Sequence, residues 1–173
     1  MADQSYQVAA AQEDDGRSAE ELVEAYRRGP SALREALDGM DAEALRARPV
    51  EGKMSSLEVL CHLADCEQFL ADRMKRTIGT DKPLLIGIDA TPYLDRLHYH
   101  DRDPELQLRL VEVTREQMAA DLGRIAGEDW LRQAVHTETG LVTLRQLLLH
   151  TVRHLEWHLT AICEKRAALG LEA

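Results

Sequence analysis

The sequence predicts an all-α protein, a four-helix bundle with a long crossover connection. Three observations carry that prediction. The chain has 173 residues, enough for one domain that buries its own core. Its residues are 45% hydrophobic but only 4% aromatic, with a single Phe at Phe69, so the core must be built from Leu, Ala, Val and Ile. That composition suits helix packing better than a sheet sandwich. Long amphipathic runs are opened by helix-start signals and separated by one connection of more than twenty residues.

Residues 1–17 are polar and acidic and read as a flexible lead-in to a domain spanning 18–169. Ser18 with Glu21 forms a capping box, in which each side chain bonds the other residue's backbone N–H. Leu22, Val23 and Tyr26 give the first helix its buried stripe. Gly29-Pro30 is expected to break it, because proline drives the preceding residue out of helical geometry. Ser31 restarts a run through Leu33, Ala36 and Leu37, and Asp41 caps a short turn through Leu45. Ser55 and Glu58 form a second capping box, opening a helix that Gly79 ends. Residues 80–103 are the crossover, with an apolar patch at Leu84-Leu85-Ile86 and a short helix opened by Thr91-Pro92. Asp103-Pro104 repeats the cap-then-proline signal, and the third long helix carries Leu106, Leu110, Val113 and Met118 inward as far as Gly123 or Gly127. A small hairpin fits residues 133–142. Thr143 with Gln146 then caps the last helix, which runs to about Leu169.

The net charge of −10 makes nucleic acid and anionic membranes poor partners. The opening MADQSYQVAAAQEDD has neither a basic start nor an apolar run, and no stretch is apolar enough to span a bilayer. Three cysteines, Cys61, Cys66 and Cys163, are therefore expected as free thiols in a reducing cytoplasm.

The chemistry concentrates on histidines. His150, His154 and His158 follow one another at four-residue steps on the last helix. Each step advances about 40°, which puts them at roughly 240°, 280° and 320° counted from Leu144. The apolar arc of Leu147, Leu148, Leu155, Leu159 and Ile162 centres at roughly 10–40° on the same count. His158 thus borders the core, His154 stands on its shoulder and His150 faces the polar side. The pair suited to one metal ion is His154 and His158, with His62 of the second long helix as the natural third ligand. Three neutral imidazoles suit zinc, nickel or ferrous iron and leave a position for water or substrate. Cys66, four residues from His62, is an alternative ligand or a packed thiol. Glu67, a carboxylate among Leu60, Leu63 and Met74, is a candidate catalytic base, a partner to a ligand, or a residue reaching to the rim. His98, His100 and His136 fall in connections and read as surface residues.

The stretch Gly52-Lys53-Met54-Ser55-Ser56-Leu57-Glu58-Val59-Leu60-Cys61-His62-Leu63-Ala64-Asp65-Cys66-Glu67 resembles the first signature of the DinB/YfiT-like superfamily. The stretch His150-Thr-Val-Arg-His154-Leu-Glu-Trp-His158-Leu-Thr-Ala-Ile162 is similar to its second, and the similarity extends over residues 18–169. Met54 stands where a Trp is usual, and Ala161 where a Gln often follows the last histidine. The resemblance implies a four-helix bundle, commonly a homodimer, associating through helix faces. It also implies a divalent metal on His62, His154 and His158, the ligand set that the helix-face argument selects. It further implies a metal-dependent enzyme acting on small molecules. The reaction expected is transfer to or from a low-molecular-weight thiol, or metal-dependent hydrolysis. The competing expectation is a non-enzymatic, stress-associated metal-binding bundle. For thiol transfer, the crossover with Leu84, Leu85, Ile86 and Tyr93 is expected to close over an electrophile.

Overall fold

The structure is a computed structural model that describes residues 14–171. Most of the lead-in, residues 1–13, lies outside the described residues; its end, Asp14 to Arg17, lies along the last helix through ion pairs. Asp14 meets Arg145 at 2.9 Å, and Arg17 meets Glu156 at 2.8 Å. Six α-helices follow among the described residues: α1 (Ala19–Leu37), α2 (Ala42–Arg46), α3 (Ser56–Gly79), α4 (Tyr93–Arg96), α5 (Pro104–Leu122) and α6 (Leu144–Ala168). Three capping boxes, at Ser18, Ser55 and Thr143, open α1, α3 and α6 as the sequence predicts, and Asp103 caps α5.

The four long helices form a closed ring. α1 packs on α5 and α6, and α3 packs on the same two, so helices consecutive in the chain, α1 and α3, lie diagonally opposite. Among the described residues two large apolar clusters fill the interior, and a smaller one gathers Cys66, Leu70 and Ala90. One large cluster gathers Leu22, Tyr26, Met74, Met118, Leu122 and Leu148, and the other Leu33, Leu57, Leu60, Val111, Leu155 and Ile162.

Between them lies a polar layer. Arg115 of α5 is 1% exposed and Glu67 of α3 is 3% exposed, and they pair at 2.8 Å. The Tyr26 hydroxyl donates to the other Glu67 oxygen, and the Arg115 guanidinium lies over the Tyr26 ring, 4.5 Å from its centre.

This layer corrects two sequence expectations. α1 does not break at Gly29-Pro30; it runs through Pro30 to Leu37. Proline has no N–H to give the carbonyl four residues earlier, that of Tyr26. Arg115 Nη1 donates to that carbonyl at 3.3 Å, and Nη2 donates to the Thr151 carbonyl at 3.3 Å. Gly29 leaves the room this requires, since a Cβ there would stand 2.2 Å from Arg115 Nη1 and 2.4 Å from Leu155 Cδ2.

The inward face of α5 is the second correction. It is Gln107, Leu108, Val111, Arg115, Met118, Ala119 and Leu122, while Leu106 and Val113 are exposed and Leu110 only half-buried. Two polar residues sit on the buried face, so an apolar count alone selects the wrong side of the helix.

Among the described residues, the connections carry one small sheet. The predicted hairpin is β2 (Gln133–His136) with β3 (Gly140–Thr143), and β1 (Leu84–Leu85) from the crossover pairs parallel to β2. Leu85 is buried, whereas Leu84 and Ile86 are exposed on the sheet's outer side. The apolar patch of the crossover is thus a sheet edge rather than a cover over a site. No helix among the described residues is long and apolar enough to cross a membrane.

Candidate metal centre

α3 and α6 pack against each other and present His62, His154 and His158 to one point. His154 and His158 are buried, and His62 is half-buried. One ligand atom from each lies within 4.8 Å of the others. The Nε2 atoms of His62 and His154 are 3.2 Å apart, and those of His154 and His158 are also 3.2 Å apart. Two nitrogens each about 2.1 Å from one ion, at an angle of about 100°, stand about 3.2 Å apart. The two spacings that meet at His154 therefore fit a shared divalent ion.

Charge state fits as well. Burial holds the His62 imidazole down at about 4, below its ordinary 6.5, and holds His154 and His158 well below 6.5. Each neighbouring imidazole, if protonated, would disfavour the proton on His154 further. At neutral pH the cluster presents lone pairs rather than cations, which is the form that ligates. The Nδ1 of His158 is buried with no hydrogen-bond partner among the described residues, so none of them orients that ring from behind as an acceptor. Packing does so instead, with the Trp157 ring edge-on at 4.6 Å.

The other candidates separate clearly. Cys66 Sγ lies 3.5 and 3.7 Å from the two ring nitrogens of His62, and burial pushes its thiol well above the ordinary value. That is a packed, protonated thiol beside a ligand. Glu67 has both oxygens engaged, by Tyr26 and Arg115, and reaches neither the rim nor the histidine nitrogens through any hydrogen bond in the structure. His150 stacks on His154, ring centres 6.2 Å apart and planes at 22°. His98 is exposed, as expected. His100 belongs to the start of α3, its Nε2 3.2 Å from Ser55 Oγ and 3.0 Å from Glu58 Oε1. His136 corrects the surface reading: it is buried and lines a cavity with His150, Arg73, Glu138 and Gln146. No sequence signal marks that grouping, because the hairpin that delivers His136 is far from Arg73 along the chain.

A pH dependence follows for the metal-free protein. An unfolded imidazole takes a proton below about 6.5, whereas His62 and His150 take theirs only near 4. Between those values the unfolded chain binds more protons, so stability falls as the pH is lowered. The urea midpoint of chelator-treated protein is expected to be steady above pH 7 and to decline from about pH 6.5 towards pH 4. A flat midpoint across that window would show that these imidazoles protonate freely in the folded state.

A helical bundle that converges three neutral imidazoles from two facing helices is, by fold and site, a three-histidine bundle of the metal-binding kind. The sequence profile of the DinB superfamily matches residues 25–162, so the chain belongs to the DinB superfamily. A Bacillus licheniformis protein named "Putative metal-dependent hydrolase" is 25% identical over 159 residues, which cover 91% of this chain and 90% of that one. Among solved structures, YfiT from Bacillus subtilis superposes with a TM-score of 0.85 at 21% identity, over 93% of this chain and 94% of its own. YfiT is described as "a probable metal-dependent hydrolase with an unusual four-helix bundle topology".

Proposed function

We propose that this chain is a metal-dependent hydrolase of small molecules, with a divalent transition metal held by His62, His154 and His158. The observation that carries the reading is the pair of 3.2 Å contacts between Nε2 atoms of neutral, buried imidazoles. The names of the two relatives point to the same chemistry. Such an ion, when bound, would lower the pKa of water and polarise a carbonyl or phosphoryl oxygen. All-nitrogen ligation suits zinc, nickel or ferrous iron.

The residues of this chain divide the remaining work. Neutral ligands would leave the ion its full charge, and His62 is the most exposed of the three. Glu67 holds α1, α3 and α5 together through Tyr26 and Arg115, and we assign it a positioning role rather than that of a base. Transfer to or from a low-molecular-weight thiol has no counterpart in the names of the two relatives, which speak of hydrolysis. A cytoplasmic setting belongs to the same proposal and rests on three free cysteines.

The test is metal content and turnover together. Tag-free protein should carry close to one transition-metal ion per chain and hydrolyse members of a panel of small amides and esters. Turnover should disappear on chelation, while the helical circular-dichroism signal stays, because a core of this size does not need an ion to fold. A fully loaded protein inert towards the panel would favour a non-enzymatic role. Loss of the helical signal on chelation would make the metal structural.

We further propose that two copies associate through α5. The resemblance and the prevalence of cyclic dimers suggest a homodimer, and α5 turns Leu106 and Val113 outward along one face, with half-buried Leu110 between them. Sedimentation at micromolar concentration should give a dimer, and the pair Leu106→Glu with Val113→Glu should give a monomer. A monomeric wild type would end the proposal.

A further inference from the structure

Beside the histidine cluster lies a cavity that the hydrolytic reading does not use. It is bounded by Arg73 of α3, by Val142, Gln146, Leu147 and His150 at the start of α6, and by the β2–β3 hairpin with His136, Glu138 and Thr139. We propose that this cavity is a subsite for an oxyanion, the carboxylate or phosphate group of the substrate, with Arg73 as its principal ligand.

Arg73 is the first argument. Its guanidinium is partly buried, yet among the described residues it forms no ion pair; one Nη2–H donates to the Ile86 carbonyl at 2.8 Å. A guanidinium has five donors in a planar fork matched to carboxylate and phosphate oxygens. Glu138 and Asp72 oppose its charge only from a distance, and a ligand in the cavity would supply an anion in contact with it.

Neutral donors surround it. The Nδ1 of His136 accepts from the Glu138 N–H at 3.3 Å, which leaves the proton on Nε2 and makes that atom a donor. Gln146 lines the same wall, and since its Oε1 already accepts from Thr143 N and Oγ1, its amide NH2 is the group it can offer. The opposing charge is Glu138. Its carboxylate is folded against Gly87, where a Cβ would come within 2.4 Å of its Cδ and Oε1, and it makes no ion pair with Arg73. The hairpin thus holds the acid aside, leaving the arginine to an incoming group.

Position ties the cavity to the centre. His150 lines the cavity and stacks on His154, so the two sites share that pair of rings as a wall. Four residues, a rise of about 6 Å, separate the two along α6. This inference rests on the hydrolytic reading for its meaning. The substrate class it names is a small amide or ester carrying a carboxylate or phosphate several bonds from the scissile carbonyl.

The experiment needs neither metal nor turnover. Metal-free protein is titrated with acetate and, separately, with inorganic phosphate at constant ionic strength, following the NMR shifts of the Gln146 side-chain amide and the Thr139 backbone amide. Saturable shifts at both are expected, with affinity reduced at least tenfold in Arg73→Gln, partly restored in Arg73→Lys and increased in Glu138→Gln. Saturation by one anion alone supports the site and identifies the group it takes. Linear, unsaturating shifts with both anions, or equal affinity in a folded Arg73→Gln protein, would overturn the proposal. Glu138→Gln keeps the test informative if Arg73→Gln fails to fold, since unchanged affinity there would remove the hairpin's part in it. Anion binding in a protein that takes up no metal would sink the hydrolytic reading and leave this one standing.

Discussion

Replacing Arg115 with alanine should lower the unfolding free energy by about 3–5 kcal/mol, the usual cost of leaving one half of a buried ion pair without its partner. The figure reflects more than one lost bond. The change strands the Glu67 carboxylate, which is 3% exposed, and also the Tyr26 carbonyl, which Pro30 cannot serve. It removes a cation from the face of the Tyr26 ring as well. For a chain of this length the melting temperature should drop on the order of 10 °C. Gly29→Ala should destabilise through the same contact from the other side, because its methyl would displace Arg115 and Leu155. Urea denaturation with a double-mutant cycle on Arg115→Met and Glu67→Leu measures the coupling. If the two single losses simply add, or Arg115→Ala costs under about 1 kcal/mol, the layer is incidental to stability.

Alanine at His62, His154 or His158 should each weaken metal binding by more than about 100-fold, at or beyond the upper end seen when only a supporting residue is lost. Two remaining imidazoles cannot surround an ion that the fold presents to three. His150→Ala is the control within the same helix. It stacks on His154 but lies outside the cluster, so its loss should change affinity by less than about tenfold. Competition against a chromophoric chelator gives all four values on one scale. A large loss in His150→Ala with little change in His62→Ala would move the ligand set along the helix by one turn.

Much of this was legible because it is local. Ser18, Ser55 and Thr143 announce their helices within four residues, and each capping box is present. The histidine set was legible because helix periodicity alone ranks His154 and His158 above His150, and only His62 stands inside a second apolar helix. What escaped depends on distant partners. The continuity of α1 through Pro30 is decided by an arginine 85 residues later, and the inward face of α5 by polar residues paired across the core. β1 has two residues and exists only because β2, about fifty residues on, gives it a ladder. The Arg73 cavity is likewise assembled from α3, the hairpin and α6, with no spacing to betray it.

The meeting of Gly29, Pro30 and Arg115 constrains how this chain can change over descent. Any residue larger than glycine at position 29 collides with the arginine, and a proline at 30 leaves a carbonyl that the arginine answers. A lineage that loses the arginine inherits a proline with an unanswered carbonyl, and a lineage that first enlarges the glycine has nowhere to put the arginine. The three positions therefore form one heritable unit, spread over 87 residues from Gly29 to Arg115, whose parts are neutral only in combination. Chains of this fold should carry either the whole set or none of it, with an ordinary helix-forming residue at position 30 wherever the arginine is absent.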